Sequence, residues 1–290
     1  MAAMDSLLVG TDFSRGARAA VLRAAYLAAE LGAHRLRLAH ALEKSLLAAL
    51  GEKLGGGGEQ DTWDRLRQAL EALAAEVADE TGVSPEPLML DGAAHKALCE
   101  AAAEDSLLVV GAQGSGGFRE FALGTTAQRL AYRASVPVLV VRGQARGGYR
   151  RVLIGTDFSD AALRAAQFAP RVAPQGELHL AHLYQGPYEM NMIHAGVDGM
   201  VIQDYREKAG ADAELMLTRF LADAGLDNEE VRRDVEPGYA ARRLPEIAAE
   251  READLLVVGR SGRSAFGDAL LGSVAWHVLA DAPCDVLVVP

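Results

Sequence analysis

Cysteine is nearly absent: two residues in a chain of 290, Cys99 and Cys284. They offer no disulfide framework and no metal-ligand spacing, and both read as small buried apolar side chains. Basic residues are also short, 29 Lys and Arg against 40 Asp and Glu, for a formal net charge of -11. That balance argues against a protein that tracks nucleic-acid backbones, which needs a basic face, and against docking on anionic membranes. No apolar run approaches the roughly 20 residues that span a bilayer. Leu7-Leu8-Val9 already begins a repeated strand, so no cleaved leader is expected, and a reducing cytoplasm is. Signatures of catalysis are missing too. The chain has no Gly-Lys-Ser/Thr of a P-loop, no nucleophile elbow, no Cys–His pairing and no His-Glu-x-x-His. The His-x-Gly-His and Ser-Gly-Gly-x-Asp-Ser patterns of nucleotidyl and adenylyl transferases are absent as well.

What the chain does have, it has twice. Residues 104–141 align without a gap on 252–289. Gly10-Thr11-Asp12-Phe13-Ser14 recurs as Gly155-Thr156-Asp157-Phe158-Ser159, and Leu38-Ala39-His40 as Leu180-Ala181-His182. Three anchors in one order mean one domain written twice, over 1–143 and 151–290, with 144–150 as linker.

Each copy alternates strands and helices. In the first, strands are predicted over 5–10, 35–41, 87–90, 107–111 and 136–141, with helices over 14–31, 61–81, 93–104 and 125–133. Ala17, Ala20, Ala24, Leu27 and Leu31 make one apolar stripe that Gly32 stops. Continuous Val/Leu runs such as Leu107 to Val110 suit strands buried on both faces, as in a parallel sheet covered by helices. The pattern gives an α/β, doubly wound domain in each copy. Pro170 and Pro174 predict a kinked or shorter first helix in the second copy. The segment 185–200 reads as a loop whose Met190, Met192 and Met200 close the core.

The chemistry concentrates in a motif of Gly-x-x-Gly, nine residues, then Gly and a small hydroxyl residue. The first copy supplies Gly111, Gly114, Gly124 and Thr125; the second supplies Gly259, Gly262, Gly272 and Ser273. A strand that opens into glycines ahead of a helix N-terminus is a layout for cradling phosphate. Glycine permits close backbone approach and positive φ, while free N–H groups and the helix dipole favour an anion. The glycines could instead mark only tight turns, and Thr125 and Ser273 would cap the last helix in either case. Asp12 and Asp157, at the end of the first strand, could cap the next helix, but Ser14 and Ser159 serve that purpose equally well. Arg260 and Arg263 flank the second set of glycines and could neutralise phosphate charge. The first copy has Ala112 and Ser115 there, with Arg119 its nearest basic residue. His40 and His182 follow the second strands and read as structural residues.

With these residues in view, the chain resembles a tandem member of the universal stress protein family, over essentially its whole length. The resemblance implies a five-stranded parallel sheet in each copy, order 3-2-1-4-5, of the adenine nucleotide alpha hydrolase-like type. It implies ATP, with or without Mg2+, at the glycine motif, and places Asp12 and Asp157 beside the ribose and adenine or at a metal-bound phosphate. Members of this kind pair through the last strand. The uninterrupted Val-Leu-Val-Val runs at Val138–Val141 and 286–289 are therefore expected to pair within one chain about a pseudo-twofold axis, with a homodimer as the other outcome. The expectation is a nucleotide-binding regulatory protein and not an enzyme, stronger in the second copy. The alternatives are a scaffold with empty pockets or a slow ATPase.

Overall fold

The structure, a computed structural model, describes residues 4–43, 59–102, 106–114, 123–144, 147–184, 189–226, 231–262 and 271–290. Gly55 to Gly58, Ser115, Arg119 and Arg263 lie outside them. The chain divides into two compact units, one of Met1–Gly148 with Asp285–Leu287 and the other of Tyr149–Cys284 with Val288–Pro290.

The first unit runs β1 (Ser6–Gly10), α1 (Arg15–Leu31), β2 (Arg35–Leu42), α2 (Glu59–Thr81), β3 (Glu86–Asp91), α3 (Ala94–Ala101), β4 (Ser106–Gly111), α4 (Thr125–Arg133), β5 (Val138–Val141). Its sheet order is β3-β2-β1-β4-β5, and every neighbouring pair is parallel. The predicted elements are therefore present in the predicted order, with ends displaced by a few residues.

The second unit runs β6 (Arg151–Thr156), α5 (Asp160–Val172), β7 (Glu177–Tyr184), α6 (Glu189–His194), α7 (Gly199–Ala224), β8 (Arg232–Pro237), α8 (Ala240–Glu250), β9 (Leu255–Gly259), α9 (Ser273–Asp281), β10 (Asp285–Val289). The strand order repeats as β8-β7-β6-β9-β10.

Both faces of each central strand are covered. Leu7, Leu8 and Val9 of β1, and Leu107, Leu108 and Val109 of β4, are wholly buried, as are Leu153 and Ile154 of β6. At about 25 cal/mol per Å2, a fully buried leucine contributes roughly 2 kcal/mol, so these runs anchor the sheet. The α1 stripe buries Ala17, Ala20, Ala24 and Leu27, and Gly32 ends the helix at φ 62, its N–H returning to Ala28 O and Ala29 O. Its counterpart α5 is shorter, 13 residues against 17, with Pro170 in its last turn. Ala173, the first residue past the helix, precedes Pro174, and a residue before proline is driven out of the helical region, so the two prolines together end the helix here.

The segment between β7 and α7 departs from the sequence reading. A short helix, α6, stands in what reads as a loop, and Asp198 caps α7 by accepting from Met200 N at 2.8 Å. Met200 is 83% exposed, so it does not close the core. Its place in the first turn of a freshly capped helix turns it outward. Of the two cysteines, Cys284 is buried and Cys99 half-buried.

Candidate functional site

The crevice forms where neighbouring strands send their chains in opposite directions. β1 pairs with β4 (Leu7↔Leu107) and β6 with β9 (Ile154↔Val257), so the segments leaving their carboxyl ends face one another. Asp12 and Asp157 lie just beyond β1 and β6, and the motif glycines just beyond or at the ends of β4 and β9.

Each aspartate sits in the same local frame. Asp157 Oδ1 accepts from Ser159 N at 3.1 Å, and Ser159 Oγ caps α5 by accepting from Ala162 N at 3.2 Å. In the first unit, Asp12 Oδ1 accepts from Ser14 N at 3.0 Å and Ser14 Oγ from Ala17 N at 3.2 Å. Serine is thus the cap, and the other carboxylate oxygen is turned toward the glycine loop. A β-carbon at Gly262 would stand 2.6 Å from Asp157 Oδ2, and one at Gly114 would stand 2.6 Å from Asp12 Oδ2. Between cap and carboxylate the backbone is strained. Phe13 and Phe158 adopt φ 62 and φ 61, a left-handed conformation that costs a residue with a β-carbon about 1–2 kcal/mol.

The glycines divide into two kinds. At Gly259 a β-carbon would lie 2.6 Å from Ala161 C and 2.7 Å from Ala162 N, and at Gly111 2.7 Å from Gly16 C. These two let the first helix of each unit press its backbone onto the sheet. Gly114 and Gly262 make room for the aspartate. None of the six motif glycines is among the residues with positive φ, so close approach is what requires them, not turn geometry.

The ends of the motif also correct the sequence reading. Gly124 and Gly272, not Thr125 and Ser273, occupy the N-cap positions of α4 and α9, and neither helix has a side-chain cap. Gly272 N donates to Arg260 O and Gly124 N to Ala112 O, each at 2.7 Å, which ties the start of each helix to the residue that follows the fourth strand of its copy. Ser273, Val274 and Ala275, the first turn of α9, line the cleft of the second unit with the helix dipole behind them, an arrangement suited to an anion.

In the second unit these parts line one cleft that is open to solvent. Asp157, Ser261 and Ser273 bring polar side chains to its lining, the motif glycines bare backbone, and Leu183, Ala240, Leu244 and Val258 apolar side chains. Asp157 is the one charged side chain among the described lining residues. Arg260 is not in the lining; its N–H pairs with Val289 O at 2.7 Å. Among the described residues no group of three or more His, Cys, Asp or Glu could hold a metal ion, and no helix is long and apolar enough to cross a membrane. Sequence reasoning missed Ser261 and the apolar lining. Ser261, between two motif glycines, was legible; Leu183 comes from β7 and Ala240 and Leu244 from α8, and they carried no local signal.

The two histidines left out of the site bond to the threonines that precede its aspartates. His182 Nδ1 donates to Thr156 O and His40 Nδ1 to Thr11 O, each at 2.8 Å. Their rings meet Phe158 and Phe13 at centroid distances of 4.0 and 4.8 Å.

A sequence relative, universal stress protein MJ0531 of Methanocaldococcus jannaschii, is 28% identical over 132 residues, 45% of this chain and 76% of that protein. Universal stress protein G of Shigella flexneri is 29% identical over 45% of this chain and 88% of its own length. A universal stress protein from Archaeoglobus fulgidus aligns in structure over 100% of this chain and 99% of its own, with a TM-score of 0.68 at 20% identity, a likeness of fold. The sequence model of the universal stress protein family matches residues 4–142 and again 148–290, so the chain belongs to that family, with two copies of its domain in tandem.

Proposed function

We propose that the second copy binds an adenine nucleotide, ATP, and that the protein acts by nucleotide-dependent binding and not by turnover. The observation that carries this reading is the convergence, in one cleft, of a side-chain-free helix N-terminus, the glycine loop and the Asp157 carboxylate. Phosphate oxygens fit the N–H groups of Ser273, Val274 and Ala275 and the loop at Gly259 and Gly262, since neutral donors and a helix dipole hold an anion without a buried cation. A carboxylate would repel phosphate, so Asp157 fits either the hydroxyls of a ribose or a Mg2+ carried in by the phosphates. Leu183, Ala240, Leu244 and Val258 offer the base an apolar seat. No lysine is among the described lining residues, so the described cleft lacks the cation that P-loop enzymes set on the β- and γ-phosphates.

The first copy repeats the aspartate, serine and glycine frame, and we propose a second, weaker site there. Its weakness rests on sequence alone, Ser115 standing where the second copy has Arg263. Pairing through the last strands and a cytoplasmic location belong to the same proposal.

Denaturing the freshly purified protein and identifying what it releases by chromatography tests the reading, followed by calorimetric titration with ATP. Release of an adenine nucleotide, or saturable heat on ATP addition, supports it. A chain that carries no nucleotide and gives no heat at millimolar ATP refutes it.

A further inference from the structure

Nothing in a strand-end histidine marks it as part of a binding site, yet both copies build the same unit around one. Thr156 is its hub. Its carbonyl accepts from His182 Nδ1 at 2.8 Å, and its Oγ1 accepts from Phe158 N at 3.0 Å. Because a carbonyl only accepts, the proton sits on Nδ1. The His182 ring stacks on Phe158 at 4.0 Å with 30° between the planes, and Phe220 meets the same phenyl ring edge-on at 5.7 Å. Phe158 is the residue at φ 61, a conformation that glycine or asparagine adopts far more readily than phenylalanine. A phenylalanine is retained in that conformation when its ring is held from outside, and here the imidazole is one of two rings that hold it.

The consequence lies on either side of the strained residue. Asp157 precedes it and Ser159 follows it, so the left-handed turn both aims Asp157 Oδ2 at the position a Gly262 β-carbon would take and brings Ser159 N onto Oδ1 at 3.1 Å. The first copy repeats the hydrogen bonds and the imidazole contact, the latter tilted at 44°: His40 Nδ1 to Thr11 O at 2.8 Å, Phe13 N to Thr11 Oγ1 at 3.1 Å, the His40–Phe13 ring contact, and Ser14 N to Asp12 Oδ1 at 3.0 Å. Recurrence in two copies that differ at many other positions ties the histidine to the aspartate turn.

We propose that His182 is a positioning residue of the second-copy cleft, and His40 of the first, each holding the strained phenylalanine that aims the site aspartate. His182 touches no ligand in this proposal; it acts through Phe158 and Thr156. The link to affinity rests on the nucleotide reading above, whereas the link to the turn does not.

The test uses the full chain with His182→Phe, which retains a ring and removes the donor, His182→Asn, which retains a donor at the Nδ1 position and removes the ring, and His182→Ala, which removes both. Amide exchange at Phe158 and Ser159 is followed by NMR alongside ATP titration. In His182→Ala, exchange at these two amides should rise at least tenfold and ATP affinity at the second copy should fall about tenfold. The matching amides of Phe13 and Ser14 should stay as in the unaltered protein, and the Phe and Asn variants should each restore part of the loss. Unchanged exchange at Phe158 and Ser159 in all three variants overturns the proposal. So does an equal rise at Phe13 and Ser14, which would mark a general loss of stability. Selective exchange changes in a protein that takes up no ATP uphold the positioning role and refute the nucleotide reading.

Discussion

Replacing Gly262 and Gly259 each by alanine separates a site glycine from a packing glycine with the same added methyl group. At position 262 the methyl would stand 2.6 Å from Asp157 Oδ2, where ordinary contact begins near 3.4 Å. The obstacle is the end of a side chain, so the carboxylate can retreat by about 0.8 Å. Retreat loosens the Ser159 N–Asp157 Oδ1 bond, worth about 1 kcal/mol at this half-buried place, or a fall of about 4 °C in Tm. It also moves the one charged group lining the described cleft, so ATP affinity should fall about tenfold, near 1.4 kcal/mol. At position 259 the methyl would meet Ala161 C at 2.6 Å and Ala162 N at 2.7 Å, both backbone, and α5 would have to lift off β9. Overpacking against atoms that cannot yield costs about 3 kcal/mol, or about 10 °C. Scanning calorimetry with and without ATP reads both effects. If the two variants lost equal Tm, or if Gly262→Ala bound ATP as the unaltered protein does, the division of the glycines would be wrong.

Ser159→Ala should lower stability by about 1 kcal/mol through loss of the α5 cap while leaving β6 intact, read by urea denaturation; a change below a few tenths would refute the cap. His179 Nε2 lies 2.7 Å from Asp234 Oδ2, and burial holds its pKa below the ordinary 6.5 although Asp234 opposes the shift. The unfolded chain therefore takes up this proton more readily, so the contribution is complete above pH 6.5 and is lost as pH falls below it. The urea midpoint should drop less between pH 7 and pH 5 in His179→Gln than in the unaltered protein, and equal drops would refute the assignment. Val140→Pro removes a backbone donor from β5 and should separate the two halves if the final strands pair, seen as loss of protection of the 144–150 linker from protease; unchanged protection argues against that pairing.

Local chemistry was sufficient for the architecture. The repeat, the alternation of strand and helix, the serine caps at Ser14 and Ser159, and the shortening of α5 by Pro170 and Pro174 all follow from periodicity, hydrogen-bonding groups and φ restrictions that act within one turn of chain. The site was legible as a set of residues, because glycine spacing and a strand-end aspartate are written consecutively. What each residue does was not. Gly259 and Gly262 look alike in sequence, but one is pressed by the backbone of α5 and the other faces Asp157, more than a hundred residues away. Gly272 takes the cap position that Ser273 was expected to fill, and Met200 turns outward. His182 comes under Phe158 only when β7 pairs with β6. Sequence pattern encodes preferences of neighbouring residues, whereas close contacts between distant segments exist only once the sheet and its helices have been brought together.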